Sequence, residues 1–131
     1  MYDINIQKHK DYYKAYYFKT KNMYNQTLFL EIYPERISQK NTMYFVTFTI
    51  NSKRKQGYQY LKSTGKDGLK SLTWAKQCIK YFINNILNSG ESIVIYADNN
   101  QRFKVYEYGL KKLKFGIQNI LGNKALIYKK K

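Results

Sequence analysis

His9 and Cys78 are the chain's single histidine and single cysteine, so Cys78 has no partner for an intrachain disulfide and the two together cannot close a tetrahedral metal shell. His9 lies between Lys8 and Lys10 in a polar stretch that marks out no nucleophile, and it reads as an exposed residue. Cys78 falls near the apolar stripe of a helical pattern, where a thiol is a small core residue rather than a reagent. The 8 Asp and Glu are scattered, without the paired spacing of two-metal or glycosidase chemistry. No catalytic residue and no metal ligand set is expected from these types.

The chemistry in which the sequence is rich is cationic and aromatic. Against those 8 acids stand 24 Lys and Arg, a formal net charge of +16. Solubility of a domain this size requires a net charge of about 2 to 8; the excess repels itself and points to a polyanion, with nucleic acid first among the candidates. Candidate phosphate contacts are Lys53, Arg54 and Lys55 in a polar loop, Arg102, Lys104, Lys111 and Lys112 along a helix, and the tail Lys129, Lys130 and Lys131. Tyr12, Tyr13, Tyr16 and Tyr17 interleave with Lys10, Lys14 and Lys19. Exposed rings of this kind stack on unpaired bases while lysines neutralise phosphates; equally, tyrosines cover a core with their hydroxyls in water. An AT-rich coding bias also enriches Lys, Asn, Ile and Tyr.

These residues must be held by elements that the hydrophobic pattern locates. Leu28, Leu30 and Ile32 alternate with Phe29, Glu31 and Tyr33 as in a half-buried strand, closed by Pro34. Tyr12 to Phe18 reads as a further strand. Met43 to Ile50 is the clearest strand, with Tyr44, Val46, Phe48 and Ile50 on one face, and a polar loop ending at Gly57 turns it into a hairpin with Tyr58 to Lys62. Leu69 to Leu87 is a long amphipathic helix with Leu69, Leu72, Ala75, Ile79, Phe82 or Ile83, and Ile86 on its apolar stripe, the Leu72, Ile79 and Ile86 side facing inward, stopped by Asn88-Ser89-Gly90. Ser92 to Ala97 is apolar on both faces and predicts a covered strand. A second helix carries Phe103, Tyr106, Leu110 and Leu113 on one stripe and cations on the other side; Gly116 to Asn123 reads as a turn region, and Lys124 to Tyr128 as the last strand.

From Leu28 to Tyr128 this order resembles the second half of the GNAT superfamily of acyl-CoA N-acyltransferases: Gly65-Lys66-Asp67-Gly68 turning into a long helix, a buried strand, Asn99-Asn100, a helix with Tyr106 and Tyr108, Lys114-Phe115 and a final strand. The resemblance implies an acetyl-CoA site with backbone amides around Gly65, Lys66 and Gly68 at the pyrophosphate, Asn100 nearby, and Tyr106 or Tyr108 as the acid for the thiolate. Lys114 stands where the family carries Gly, and the span from Tyr106 to Phe115 is longer than the family's. Read without the family, the same loop is a helix entry with Asp67 or Thr64 as N-cap. A similarity to small proteins of phages and other mobile elements attaches to no specific motif.

The expectation is an α+β domain over residues 1–131, a mostly antiparallel sheet with two packed helices. It is expected to act as a basic, non-catalytic, nucleic-acid-binding accessory protein, without a cofactor of its own. The alternatives are an acyltransferase using acetyl-CoA and a binding or inhibitory protein acting on another protein. An acidic protein surface would meet the same charges, and a homodimer through an exposed strand would join two such patches. The lone cysteine and the absence of a long apolar run point to the cytoplasm, with no membrane partner.

Overall fold

The computed structural model describes residues 2–38, 41–51, 58–59, 68–97, 100–120 and 122–131, with the backbone alone at 36–38, 41, 51, 58–59, 68–69 and 101–102. The fold is α+β: among the described residues, eight strands in a mostly antiparallel sheet and two α-helices. The strands are β1 (Ile6–Lys8), β2 (Tyr16–Lys21), β3 (Thr27–Ser38), β4 (Asn41–Asn51), β5 (Tyr58–Gln59), β6 (Ser92–Tyr96), β7 (Gly116–Ile120) and β8 (Asn123–Lys129). The helices are α1 (Gly68–Asn85) and α2 (Asn100–Leu110). The hydrogen-bonded order is β1-β2-β3-β4-β6-β8-β7, with β5 added to β4. By contacts the chain divides into two units, residues 1–32 with 47–79 and residues 33–46 with 80–131.

In the first unit the period of two sets the core. Leu28, Leu30 and Ile32 of β3 are fully buried, as their alternation predicts, and β2 pairs antiparallel with this half of β3 from Tyr16↔Ile32 to Lys21↔Thr27. β3 does not end at Pro34 but runs on to Ser38. The stretch from Tyr12 is not all strand either: β2 starts only at Tyr16, because the chain turns at Lys14, which takes φ 60 in the left-handed region, and His9 N–H donates to the Ala15 carbonyl at 2.9 Å. Asn22 closes the next turn, its Oδ1 accepting from the Tyr24 and Gln26 amides at 3.0 and 2.9 Å. β4 and β5 pair antiparallel at Ile50↔Gln59, and residues 52–57, expected as a loop, lie outside the described residues.

The helix α1 forms where the 3.6-residue period predicts it, and Ala75, Ile79, Phe82 and Ile83 of the expected stripe are buried, but the stripe is rotated away from Leu72 and Ile86. Ser71, Trp74, Ala75, Cys78, Ile79, Phe82 and Ile83 are buried, whereas Leu72 and Ile86 are only half-buried. Trp74 decides the rotation: its ring lies 5.9 Å from that of Phe48, and its indole N–H donates to the Asp3 carbonyl at 2.8 Å, so the largest side chain is buried with its polar atom satisfied. Cys78 is buried as expected, and burial pushes its thiol far above its ordinary pKa.

In the second unit β6 is the central strand. It runs parallel to β4 from Met43↔Ser92 to Phe45↔Val94 and antiparallel to β8 from Ser92↔Lys129 to Tyr96↔Ala125. Ser92 to Ile95 are buried without alternation, as expected of a strand covered on both faces. Phe82 packs edge-on against Tyr44 at 5.1 Å. Among the described side chains of α2, Phe103 and Leu110 are buried. Gly116 to Asn123, expected as a turn, is instead β7 and a tight hairpin into β8, with Ile120 paired to Asn123 and Gly122 at φ 81. Gly116 to Asn119 are exposed, so this edge strand needed no hydrophobic alternation and carried none. Among the described residues no helix is long and apolar enough to cross a membrane.

Candidate polyanion interface

The cations gather where α2 ends. After Leu110 the chain tightens into a 3-10 turn, Lys111–Leu113, whose two basic residues are exposed. Lys114 then takes φ 67 and donates its N–H to the Lys111 carbonyl at 3.0 Å, which turns the chain into β7. Phe115 packs on Tyr128 with ring centroids 5.6 Å apart, and Gly116 pairs with Ile127. Continuing that register two residues outward sets Lys114 at the same end of the hairpin as Lys129. Lys111, Lys112, Lys114 and Lys129 are thereby brought to one end of the β7–β8 hairpin.

These four lysines, Lys104 on α2 and the terminal Lys131 are exposed, and none forms an ion pair among the described residues. Glu107, on α2 between Lys104 and Lys111, pairs with neither. The Lys124 ammonium lies over the Phe103 ring at 4.5 Å, a cation–π contact that ties this cation to α2. Like charges at this density repel one another, and a bound anion relieves that repulsion.

Lys130 is the exception in the tail. Its ammonium donates to the Ile83 and Leu87 carbonyls at 2.7 and 2.8 Å, at the C-terminal end of α1. No basic residue stands in the last turn of α1, so the cation that satisfies its open carbonyls and negative dipole end arrives from the other end of the sequence. Backbone bonds hold it there: Gly90 N–H donates to the Lys130 carbonyl at 2.7 Å, and Lys130 N–H to the Glu91 carbonyl at 3.0 Å. The Glu91 carboxylate closes the same turn by accepting from the Asn88 N–H at 2.8 Å. Lys130→Met, which keeps the stem and removes the charge, is expected to cost about 1–3 kcal/mol, read as a lowered urea midpoint. An unchanged midpoint would show that the cap carries no stability.

The other predicted positions divide. Lys53, Arg54 and Lys55, with Gly65 and Lys66, lie outside the described residues; Gly68 is the first residue of α1, and Arg102 belongs to α2 with its side chain outside the description. Asn100 opens α2 and is exposed. Tyr106 is half-buried, whereas Tyr108 is 86% exposed, as positions two apart on a helix face different ways. The described neighbours of β6 are β4 and β8.

His9 is not the exposed residue expected from its polar surroundings. It is about one-fifth exposed, with Nε2 3.3 Å from Glu31 Oε2, and its ring contacts Tyr12 and Tyr17 at 5.9 and 5.0 Å. The register Tyr17↔Glu31 and Gln7↔Tyr17 brings three chain segments together at this point, and a one-dimensional pattern does not show such pairing. Among the described residues, no three of His, Cys, Asp and Glu gather as a metal site would require.

The sequence matches no family model and no curated protein.

Proposed function

We propose that the protein is a nucleic-acid-binding accessory protein that acts by holding the phosphate backbone rather than by catalysis. The observation that carries this reading is the set of exposed, unpaired lysines at the end of α2 and of the β7–β8 hairpin, in a chain of net charge +16. Lysines bind phosphate as point charges and carry no base pattern, so contacts of this kind position a strand without reading its sequence. The buried, unreactive Cys78 suits a reducing cytoplasmic compartment, where a nucleic acid is at hand.

Anisotropy of a labelled oligonucleotide at increasing salt tests the proposal. Each phosphate neutralised contributes about 0.7 to 0.9 to the log–log slope, so four to six contacts give a slope of roughly −3 to −5. Scrambling the oligonucleotide sequence should change affinity far less than doubling the salt. Absence of binding at low salt to both single- and double-stranded nucleic acid would overturn the reading and favour an acidic protein surface as the partner.

A further inference from the structure

The turn between β1 and β2 joins exposed rings to cations in a way the interface on the second unit does not. Residues 8–16 line an open depression of about 520 Å³. Within it Tyr12 and Tyr13 are 60% and 76% exposed, Lys8 and Lys10 are exposed, and Lys14 sits with its ammonium 5.6 Å from the centre of the Tyr13 ring. Asp11 is the one carboxylate of the turn, against those three lysines.

Large rings on a loop are ordinarily ordered only on binding, at an entropic cost. Here the turn is built in advance. Ala15 is buried and anchors it, with His9 N–H bonded to the Ala15 carbonyl across the turn and Ala15 N–H to that of Tyr12 at 3.4 Å. Behind Tyr12 the aromatic contacts continue: Tyr12 stands edge-on to His9, His9 lies against Tyr17, and Tyr17 lies 5.4 Å from Phe29 of β3. Glu31 holds the imidazole, and the Tyr17 hydroxyl donates to Gln7 Oε1 at 2.7 Å. Tyr12 is thus backed by a ladder rooted in the sheet, while most of its own surface faces water.

We infer that this turn is a stacking site for the unpaired bases of a single-stranded nucleic acid, with Tyr12 and Tyr13 as the rings and Lys8, Lys10 and Lys14 facing the phosphates on either side. The inference rests on the nucleic-acid reading above and adds to it the strandedness of the ligand. A base in a duplex has both faces covered by its neighbours, whereas an unpaired base offers a face to an aromatic side chain. Charge alone does not distinguish the two, and exposed rings do.

The test compares three labelled probes of equal length: a single-stranded oligothymidine, the same backbone made abasic, and a duplex. The wild-type protein should bind oligothymidine roughly ten- to a hundredfold more tightly than the abasic strand. Tyr12→Ala with Tyr13→Ala should bring oligothymidine down to the abasic level while leaving abasic affinity and salt slope unchanged. Tyr12→Phe with Tyr13→Phe should keep the preference, since the ring and not the hydroxyl does the stacking, and this pair guards against loss of folding in the alanine variant. Photocrosslinking to a bromodeoxyuridine strand should map to residues 12–13. Equal wild-type affinity for oligothymidine and abasic strand, or an alanine pair that loses nothing, would overturn the stacking site while leaving phosphate binding intact. Failure of all three probes to bind would overturn the nucleic-acid reading, and the stacking site with it.

Discussion

Ile79→Asp is expected to yield a chain that does not fold. Ile79 is 4% exposed on the inner face of α1, beside Cys78 and Ala75, which are buried as well. A carboxylate at so buried a position loses its hydration, and the substitution removes an apolar side chain at the same time. The combined penalty exceeds about 4–5 kcal/mol, a large part of the roughly 5–15 kcal/mol that separates folded from unfolded chain. The rotated stripe makes the prediction specific. Leu72→Asp and Ile86→Asp, at half-buried positions, can turn the charge towards water and should cost about 1–3 kcal/mol, leaving a cooperative transition. Circular dichroism and urea titration of the three variants distinguish the registers. A folded Ile79→Asp with a wild-type midpoint, or a Leu72→Asp that fails to fold while Ile79→Asp does not, would overturn the assignment of the inner face.

Changing Lys111, Lys112, Lys114 and Lys129 to Gln should have the second large effect, on binding rather than on folding. If each touches one phosphate, the salt slope falls by up to about three units and affinity in 0.1 M salt drops by roughly a thousandfold. Stability should hardly move, because all four side chains are exposed and unpaired, and removing like charges relieves repulsion. Lys130→Met serves as the opposite control: stability falls, while the slope stays, because its ammonium is already bonded to the carbonyls of Ile83 and Leu87. An unchanged slope in the fourfold variant would clear this end of the hairpin and move the interface to the Lys53, Arg54 and Lys55 loop or to Arg102 and Lys104.

The elements whose hydrophobic periodicity is complete within a few residues were legible in one dimension. Leu28, Leu30 and Ile32 share a face of β3 because side chains alternate in an extended chain, and all three are fully buried. The same holds for the doubly covered β6 and for α1 as a helix. The exact inner face of α1 was not legible, since Leu72 and Trp74, two positions apart, face different ways and both are apolar. The contact with Phe48 and the bond to the Asp3 carbonyl, 71 residues away in sequence, settle it in favour of Trp74.

By itself, then, the sequence determines the fold class, the charge excess and the helix and strands that its apolar periods mark, because those follow from local geometry and composition. Which lysines face water was decided only in the tertiary structure: Lys129, Lys130 and Lys131 are identical in one dimension, yet the middle one caps a helix whose last turn lies more than forty residues earlier. β7 was likewise decided there, since an exposed edge strand is selected by the backbone of β8 and not by its own side chains. His9 too became part of a packed aromatic cluster only when Tyr17 and Glu31 were brought across from it by strand pairing. For Lys130 the partner is distant along the chain; for β7 and His9 the register of the sheet fixes which residues meet.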